Sequence, residues 1–210
     1  MRNRISKLPV FRWHEESVHV PRVQRLSTAI AELAPSAKSM LDIGCGDGTM
    51  ARGIAEKVGA TGDLHGVDVL VRPNAVIDVK QYDGYTLPFE SDRFDLITIC
   101  DVLHHADDPK AVVHEAMRVL SPKGALVIKD HFRFGQWSNA VLLAMDIFGN
   151  YAAGVLVRGH YLTPPQWLEL VTSAGGAIDR VMWPFEIHDL PWRLVAKSEY
   201  QFLMRAKRPG

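Results

Sequence analysis

The sequence predicts an α/β fold in which helices cover both faces of a doubly wound, mostly parallel sheet. Short apolar segments alternate with longer ones whose apolar residues recur at helical spacing, as in successive βαβ units. Phe94–Cys100 is almost continuously apolar, which is typical of a strand buried on both faces. Gly44, Gly46 and Gly48 directly follow the first predicted strand, where sheets of this kind bind ligands.

The elements of the first half of the chain follow one another in regular order. Apolar residues at helical spacing predict a helix over 18–33, which Pro35 ends. The next predicted elements are a strand over 39–43, a helix over 49–58 with Thr49 as its N-cap, and strands over 64–69, 75–79 and 94–100. Because these strands are expected to be parallel, their carboxyl ends share one edge of the sheet.

The second half departs from this alternation after the fifth strand. The predicted elements are a helix over 109–120, a turn at 122–124, a strand over 125–129, an apolar helix over 140–148, a helix over 166–174 with Thr163 as its N-cap, and strands over 178–183 and 200–206. We expect the last two strands to form an antiparallel hairpin at one edge of the sheet. The apolar helix is expected to form a cap inserted after the fifth strand.

The length of 210 residues fits a single domain. We divide it into an N-terminal arm and helix (1–38), a cofactor-binding half (39–130), an apolar cap (131–162), and a C-terminal helix with the edge strands (163–210).

Composition disfavours several classes of protein. Lys plus Arg equals Asp plus Glu, at 24 each, so no global charge attracts nucleic acid, and none is expected as a partner. Cys45 and Cys100 supply neither a disulfide framework nor metal-ligand spacing, and we expect both to fill space. The first residues lack the pattern of a signal peptide, which predicts a cytoplasmic protein. The oligomeric state is left open.

The apolar cap raises the question of membrane contact. The segment 140–157 is largely apolar, but Asp146, Gly149 and Asn150 interrupt it, so it does not predict a transmembrane helix. Both a lid over an active site and a peripheral surface that rests on a bilayer fit this pattern.

The glycine turn predicts a site for a nucleoside cofactor, because glycine permits positive φ and lets a ligand approach the main chain. The spacing is G-x-G-x-G, whereas dinucleotide-binding turns have G-x-G-x-x-G. Asp68 lies at the end of the second strand, 20 residues after Gly48, where a carboxylate can accept both ribose hydroxyls. A binding role for Asp68 is therefore favoured over that of a solvated loop residue.

Five motifs in fixed order carry a resemblance to a known family. They are Leu41–Thr49 with its three glycines, the Asp-Gly-Tyr-Thr-Leu-Pro-Phe run at 83–89, and the segments 94–97, 101–105 and 118–124. Over 41–129 the chain resembles class I S-adenosylmethionine-dependent methyltransferases, most of all the branch described as methyltransferase domain 11, or UbiE-like. The resemblance implies a Rossmann-like, class I methyltransferase fold, S-adenosylmethionine as the cofactor and S-adenosylhomocysteine as its product.

The resemblance also implies which residues hold this cofactor. The residues implied for the methionine portion are Asp42, Gly44, Cys45 and Gly46, and those implied for the adenine are Asp83 and Gly84. The remaining implied residues are Asp68 for the ribose, with Val69 beside it, and Asp101 and Leu103 on the wall near the methyl group.

Asp130 and His131 follow the fifth strand, beside the expected acceptor half of the cleft. Methylation of a hydroxyl requires loss of a proton, and the pKa of histidine suits a base near neutrality. We therefore predict His131 as a general base or substrate ligand that Asp130 orients. A histidine that only caps the strand end fits the sequence equally well.

The adjacent pair His104-His105 invites a metal site or a general base. We expect neither, because adjacent histidines at an irregular strand end should diverge and no Cys or carboxylate cluster completes a site. Similar Leu-His-His runs in the family resemble structural elements beside the cofactor. No metal is therefore predicted.

The cap resembles a pattern in bacterial methyltransferases of this branch, which implies that Asp146, Asn150 and Tyr161 face the acceptor. A buried aspartate that caps backbone would give the same pattern. The apolar cap favours a small, hydrophobic acceptor, lipid-like or aromatic. The large aromatic residues expected in the core are Trp137, Phe148, Trp167 and Trp183.

These observations predict an enzyme that transfers a methyl group from S-adenosylmethionine to O, N or C of a small acceptor. The alternatives are a non-catalytic cofactor-binding or scaffold protein, since fold does not fix function, and a nicotinamide-dependent oxidoreductase. The glycine spacing and the 83–89 block disfavour the oxidoreductase. Nucleic-acid methylation is disfavoured because the chain lacks a basic surplus and an Asn/Asp-Pro-Pro-aromatic tetrad.

Overall fold

A computed structural model describes residues 20–34, 36–151, 159–188 and 197–209, except for the side chains of 148–151. The helices are α1 (Val20–Leu33), α2 (Thr49–Val58), α3 (Pro109–Val119), α4 (Gln136–Tyr151) and α5 (Pro164–Ser173). The strands are β1 (Met40–Ile43), β2 (Leu64–Asp68), β3 (Asp78–Gln81), β4 (Phe94–Cys100), β5 (Leu120–His131), β6 (Ala177–Met182) and β7 (Gln201–Lys207).

The strands form one sheet in the order β3-β2-β1-β4-β5-β7-β6. The first five strands in this order are parallel, and β7 is antiparallel to both β5 and β6. The predicted doubly wound, mostly parallel sheet with an antiparallel edge is therefore confirmed. Because β4 and β1 lie at the centre, the loops that follow them meet at one edge of the sheet, where the site is built.

Helices bury both faces of the sheet, as the apolar strands predict. On one face α3 and α5 pack through residues such as Val113, Ala116 and Leu170. On the other face α1 and α2 pack through residues such as Ile30 and Ile54. Burial on both faces explains why β4 has no polar side.

Three predicted boundaries differ from the structure for local reasons. The edge strand β3 lies at 78–81 rather than 75–79, because an edge strand with mostly exposed side chains needs no apolar run. The N-cap of α2 is Gly48 rather than Thr49, and Asp47 Oδ1 accepts the Thr49 N–H at 3.0 Å. The turn predicted at 122–124 lies inside β5, where the pairing with β4 slips.

The aromatic residues divide between core and surface. Trp167 is 1% exposed, as predicted, whereas Trp137 and Trp183 are 77% and 51% exposed, so the prediction of core positions was wrong for both. The side chain of Phe148 and the predicted helix start at 18–19 lie outside the described residues. No helix in the described ranges has the length and apolarity to cross a bilayer.

Candidate active site

The glycine turn joins β1 to α2 with the backbone that its composition predicts. Gly44, Gly46 and Gly48 have φ of 73°, 61° and 81°. Val102, from the loop after β4, packs on Gly44 so closely that a Cβ there would lie 2.3 Å from Val102 Cγ2. A Cβ on Gly46 would meet only Arg72, at 3.6 Å or more, so this backbone is accessible to a ligand.

Gly44→Ala is expected to lower the free energy of unfolding by about 2–3 kcal/mol, because it combines a left-handed φ with a clash against Val102. Urea denaturation would measure the loss. Gly62→Ala is the control, since a Cβ there has no neighbour within 4 Å. Adding Val102→Ala should restore only the part due to the clash. A Gly44→Ala variant as stable as wild type would contradict the close packing of Val102 on Gly44.

Asp68 is held against the glycine turn by the backbone. Its Oδ2 accepts the Gly46 N–H at 2.8 Å, and its Oδ1 accepts the Leu70 N–H at 3.0 Å. A carboxylate can accept about four hydrogen bonds, so capacity for two ribose hydroxyls is left. Asp68 therefore fits the role expected of it.

The loop after β3 brings a second carboxylate to the same surface. Asp83 Oδ1 accepts the N–H groups of Thr86 and Tyr85 at 2.7 and 2.8 Å, which lowers the pKa of Asp83. Gly84 lies against Val69, whose side chain is 55% exposed. An exposed apolar side chain beside a carboxylate suits an adenine, which has a flat apolar face and an amino group.

Three residues of the predicted cofactor set face inward instead. Asp42 accepts a 2.5 Å hydrogen bond from Thr98 on β4, and burial raises the pKa of Asp42 to about 7 although this bond opposes the shift. Leu103 is 2% exposed and packs in the core, so Val102 is the residue that covers the glycine turn. Cys45 is also buried, at 8%, as its predicted space-filling role requires.

A cavity of about 340 Å³ lies beyond the carboxyl ends of β4 and β5. Its lining comes from α1, the loop after β4, β5, α4, the segment before α5, the segment after β6, and β7. The lining residues are Arg22, Asp101, His104, His105, Lys129, His131, Leu142, Met145, Asp146, Tyr161, His188 and Gln201. The predicted residues Asp101, His131, Asp146 and Tyr161 are thus brought together. Asn150 lies in the last turn of α4, and its side chain is outside the described residues.

The carboxylate of Asp101 contacts two cationic side chains in this cavity. Its Oδ1 lies 2.6 Å from Lys129 Nζ, and its Oδ2 lies 2.5 Å from an Arg22 guanidinium nitrogen. Burial opposes ionisation, but these two cations hold the pKa of Asp101 well below its ordinary value. Asp101 also has φ of 57°, a conformation that non-glycine residues seldom adopt.

Asp130 orients a different histidine from the one predicted. Its Oδ1 lies 2.7 Å from His104 Nδ1, whereas it contacts His131 through the backbone N–H at 2.8 Å and the ring Nδ1 only at 3.5 Å. Burial and the charge of Lys129 lower the pKa of His131. His131 is therefore a neutral imidazole near pH 7, in the protonation state that a base requires.

The side chains of His104 and His105 do not diverge, so the expectation that they point apart was wrong. The rings of His104 and His105 lie 4.0 Å apart, and His105 Nε2 is 3.2 Å from Asp146 Oδ1. Tyr161 stacks on His104 with ring centroids 5.0 Å apart. Carboxylates from β5 and α4 thus complete a cluster that the sequence separates widely.

Four polar residues of the cavity were not predicted from the sequence: Arg22, Lys129, His188 and Gln201. One of them gave a signal, because Lys129 is a charged residue at the end of a strand expected to be buried on both faces, and it is 2% exposed. His188 lies beside Arg22, and burial together with that charge lowers its pKa to about 4.

The strand order, the glycine turn and the carboxylates that follow β2 and β3 define the fold of class I S-adenosylmethionine-dependent methyltransferases. A profile described as a methyltransferase domain matches residues 14–180, and the chain belongs to this family.

Individual relatives agree with this assignment. The chain is 27% identical to the ubiquinone biosynthesis O-methyltransferase of Idiomarina loihiensis, over 65% of the chain and 60% of that protein. It is 34% identical to the 2-phytyl-1,4-naphtoquinone methyltransferase of Nostoc punctiforme, over 48% of the chain and 49% of that protein. The chain thus spans only about half to two thirds of the length of these relatives.

A solved structure with a similar fold is the 1,6-didemethyltoxoflavin-N1-methyltransferase of Burkholderia thailandensis, with 1,6-didemethyltoxoflavin and S-adenosylhomocysteine bound. Its TM-score is 0.61, with 19% identity over 90% of this chain and 79% of that chain.

Proposed function

We propose that this chain transfers a methyl group from S-adenosylmethionine to a hydroxyl oxygen of a small, apolar acceptor, with S-adenosylhomocysteine as the product. The observation that carries the proposal is the loop after β4: Val102 lies on the glycine turn while its neighbour Asp101 lines the cavity. A cofactor cradle and an acceptor cavity therefore share one wall. In this proposal residues 39–130 hold the cofactor and 131–162 cap the acceptor.

The cofactor, when bound, supplies an electrophilic methyl group. In this proposal Gly44, Gly46 and Asp68 hold its amino-acid and ribose portions through backbone and carboxylate contacts, and Asp83 holds its adenine. Asp42 and Cys45, which face the interior of the protein, support the backbone of the glycine turn. Methyl transfer otherwise needs an acceptor held in line, which the cavity walls would provide.

The acceptor side combines an apolar wall with a polar floor. Leu142 and Met145 of α4 line one side, and His104 and Tyr161 present stacked rings. An aromatic ring carrying a hydroxyl would satisfy both surfaces, with His131 accepting the hydroxyl proton. The names of two relatives, which refer to ubiquinone biosynthesis and to a naphthoquinone, support an acceptor of this class. The free thiols of Cys45 and Cys100 suit a cytoplasmic location.

Calorimetric titration with S-adenosylmethionine and S-adenosylhomocysteine tests the proposal. Asp68→Ala is expected to weaken binding of S-adenosylhomocysteine about 10- to 100-fold, since hydrogen bonds to a charged group contribute about 1.5–3 kcal/mol each. Asp107→Ala, which alters an exposed carboxylate elsewhere, is the control. Wild-type protein that is folded by circular dichroism and binds neither compound would overturn the proposal.

Two outcomes would favour the alternatives. Binding of NAD in place of S-adenosylmethionine would indicate an oxidoreductase. Tight cofactor binding without turnover, across a panel of phenols, catechols and quinols, would indicate a non-catalytic binding protein, because this fold by itself does not fix an activity.

A further inference from the structure

Three side chains with metal-binding atoms converge at one end of the acceptor cavity. His104 and His105 lie on the 3₁₀ turn after β4, and Asp146 reaches them from α4. One ligand atom from each of the three lies within 4.8 Å of the other two. Two ligand atoms on one transition-metal ion lie no more than about 4.4 Å apart, since its bonds to nitrogen and oxygen are about 2.0–2.2 Å long, so only a small movement of these side chains is needed to bring all three onto one ion.

His104 forms a hydrogen bond to a carboxylate through one ring nitrogen, as metal-binding histidines commonly do. Its Nδ1 lies 2.7 Å from Asp130 Oδ1, and the two side chains are 4% and 1% exposed. Between a carboxylate and an imidazole the ring N–H donates, so Asp130 accepts and His104 Nδ1 donates. This bond leaves the lone pair of the neutral imidazole on Nε2 and fixes the plane of the ring.

The second histidine and the carboxylate already touch. His105 Nε2 lies 3.2 Å from Asp146 Oδ1, and Asp146 is only 7% exposed. A metal ion between these two atoms would replace one contact with two ligand bonds. Two imidazoles and one carboxylate form a donor set that transition metals prefer, and it leaves further positions open.

We propose that His104, His105 and Asp146 bind one divalent transition-metal ion, with Asp130 positioning His104. The ion's open positions would take the oxygen of the acceptor and lower the pKa of its hydroxyl. This role for the ion rests on the proposed function, whereas metal binding itself does not.

Metal binding is tested without any acceptor. Protein dialysed against a chelator is titrated with Co²⁺, followed by visible absorption, and with Zn²⁺, followed by calorimetry. The titrations are done at pH 8, because a protonated imidazole cannot bind metal. One ion per chain is expected, with absorption bands of a site that contains nitrogen ligands.

The variants locate the site. His105→Ala and Asp146→Asn should each weaken Co²⁺ binding by about 100-fold or more, and Asp130→Asn by about 10- to 100-fold. His114→Ala, which removes an exposed histidine of α3, should leave binding unchanged. Affinity for S-adenosylhomocysteine should be retained in all four, which also shows that they fold.

Two results would overturn the metal site. One is folded wild-type protein that binds neither Co²⁺ nor Zn²⁺, and the other is binding that survives both His105→Ala and Asp146→Asn. Neither result touches the proposed function, because S-adenosylhomocysteine binding and methyl transfer in the presence of chelator are measured separately. Conversely, wild-type protein that binds metal but not S-adenosylhomocysteine would support the metal site and would exclude its proposed role in methyl transfer.

Discussion

Asp101→Asn is expected to lower the free energy of unfolding by about 3–5 kcal/mol, because it leaves Lys129 buried without a counter-charge. The Lys129 side chain is 2% exposed and its ammonium lies 2.6 Å from the carboxylate. The variant also removes the partner of Arg22 and so weakens the attachment of α1 to the sheet edge. Urea denaturation of the variant and the wild type measures the loss.

Two further variants separate the buried charge from general damage. Asp101→Asn with Lys129→Met should recover much of the loss, since no charge is then buried alone. Asp92→Asn removes an exposed ion pair with Arg208 and should cost less than about 1 kcal/mol. If Asp101→Asn lowers the free energy of unfolding by less than about 1 kcal/mol, as expected for an exposed ion pair, Lys129 does not depend on Asp101 as its counter-charge.

The pH dependence of stability gives a second measurement on Asp101. Its pKa in the folded protein lies below the ordinary 3.8 because of Lys129 and Arg22, although burial opposes this. The stabilisation is therefore present above the ordinary pKa and is lost as the pH falls below it. Asp101→Asn should show a shallower acid limb than wild type.

His131→Ala is expected to reduce kcat about 10²- to 10⁴-fold if His131 is the base of the proposed reaction, because positioned proton transfer contributes that much. The change should leave the affinity for S-adenosylhomocysteine within about twofold, since the residues proposed to contact the ribose and adenine are elsewhere. Stopped assays with a methyl acceptor found in the panel would measure kcat.

The pH profile distinguishes a base from a structural histidine. Burial and Lys129 lower the pKa of His131, so wild-type activity should fall only as the pH drops below the ordinary 6.5, where the imidazole gains a proton. That acid limb should disappear in His131→Ala. Full turnover by the variant, with wild-type behaviour of the control His114→Ala, would exclude His131 as the base.

The sheet and the cofactor side follow from local sequence. The apolar run of β4 requires burial on both faces, and Gly44 requires a backbone that only glycine adopts against Val102. Asp68 is placed by its position at the end of β2. Each of these inferences uses residues that are neighbours in the chain or the fixed geometry of a parallel sheet.

The acceptor side depends on contacts between distant segments, which periodicity cannot show. The imidazole closest to the Asp130 carboxylate is that of His104, from another strand end, whereas His131 beside it donates its backbone N–H. Asp146 completes the histidine pair only because α4 lies beside the turn that follows β4. The expectation that the adjacent His104 and His105 diverge was wrong for this reason.

Surface exposure was the other source of error. Trp137 and Trp183 were expected in the core from their size, yet both are largely exposed. Trp183 contacts Phe134, itself 45% exposed, so the aromatic residues cluster on the surface as well as in the core. The type of a residue indicates its tendency to be buried, but it does not show which of several tryptophans in one chain is buried.

The position of β7 has a consequence for the order in which the molecule is completed during synthesis. His131 is paired with Gln201, and Asp130 with Phe202, so the last strand of the sheet flanks the floor of the acceptor cavity. A nascent chain that has emerged from the ribosome only as far as α5 contains the whole glycine turn but not this strand. The half that contains the glycine turn can therefore assemble before β7 has been synthesised, whereas the cavity beside His131 is complete only once β7 has also emerged.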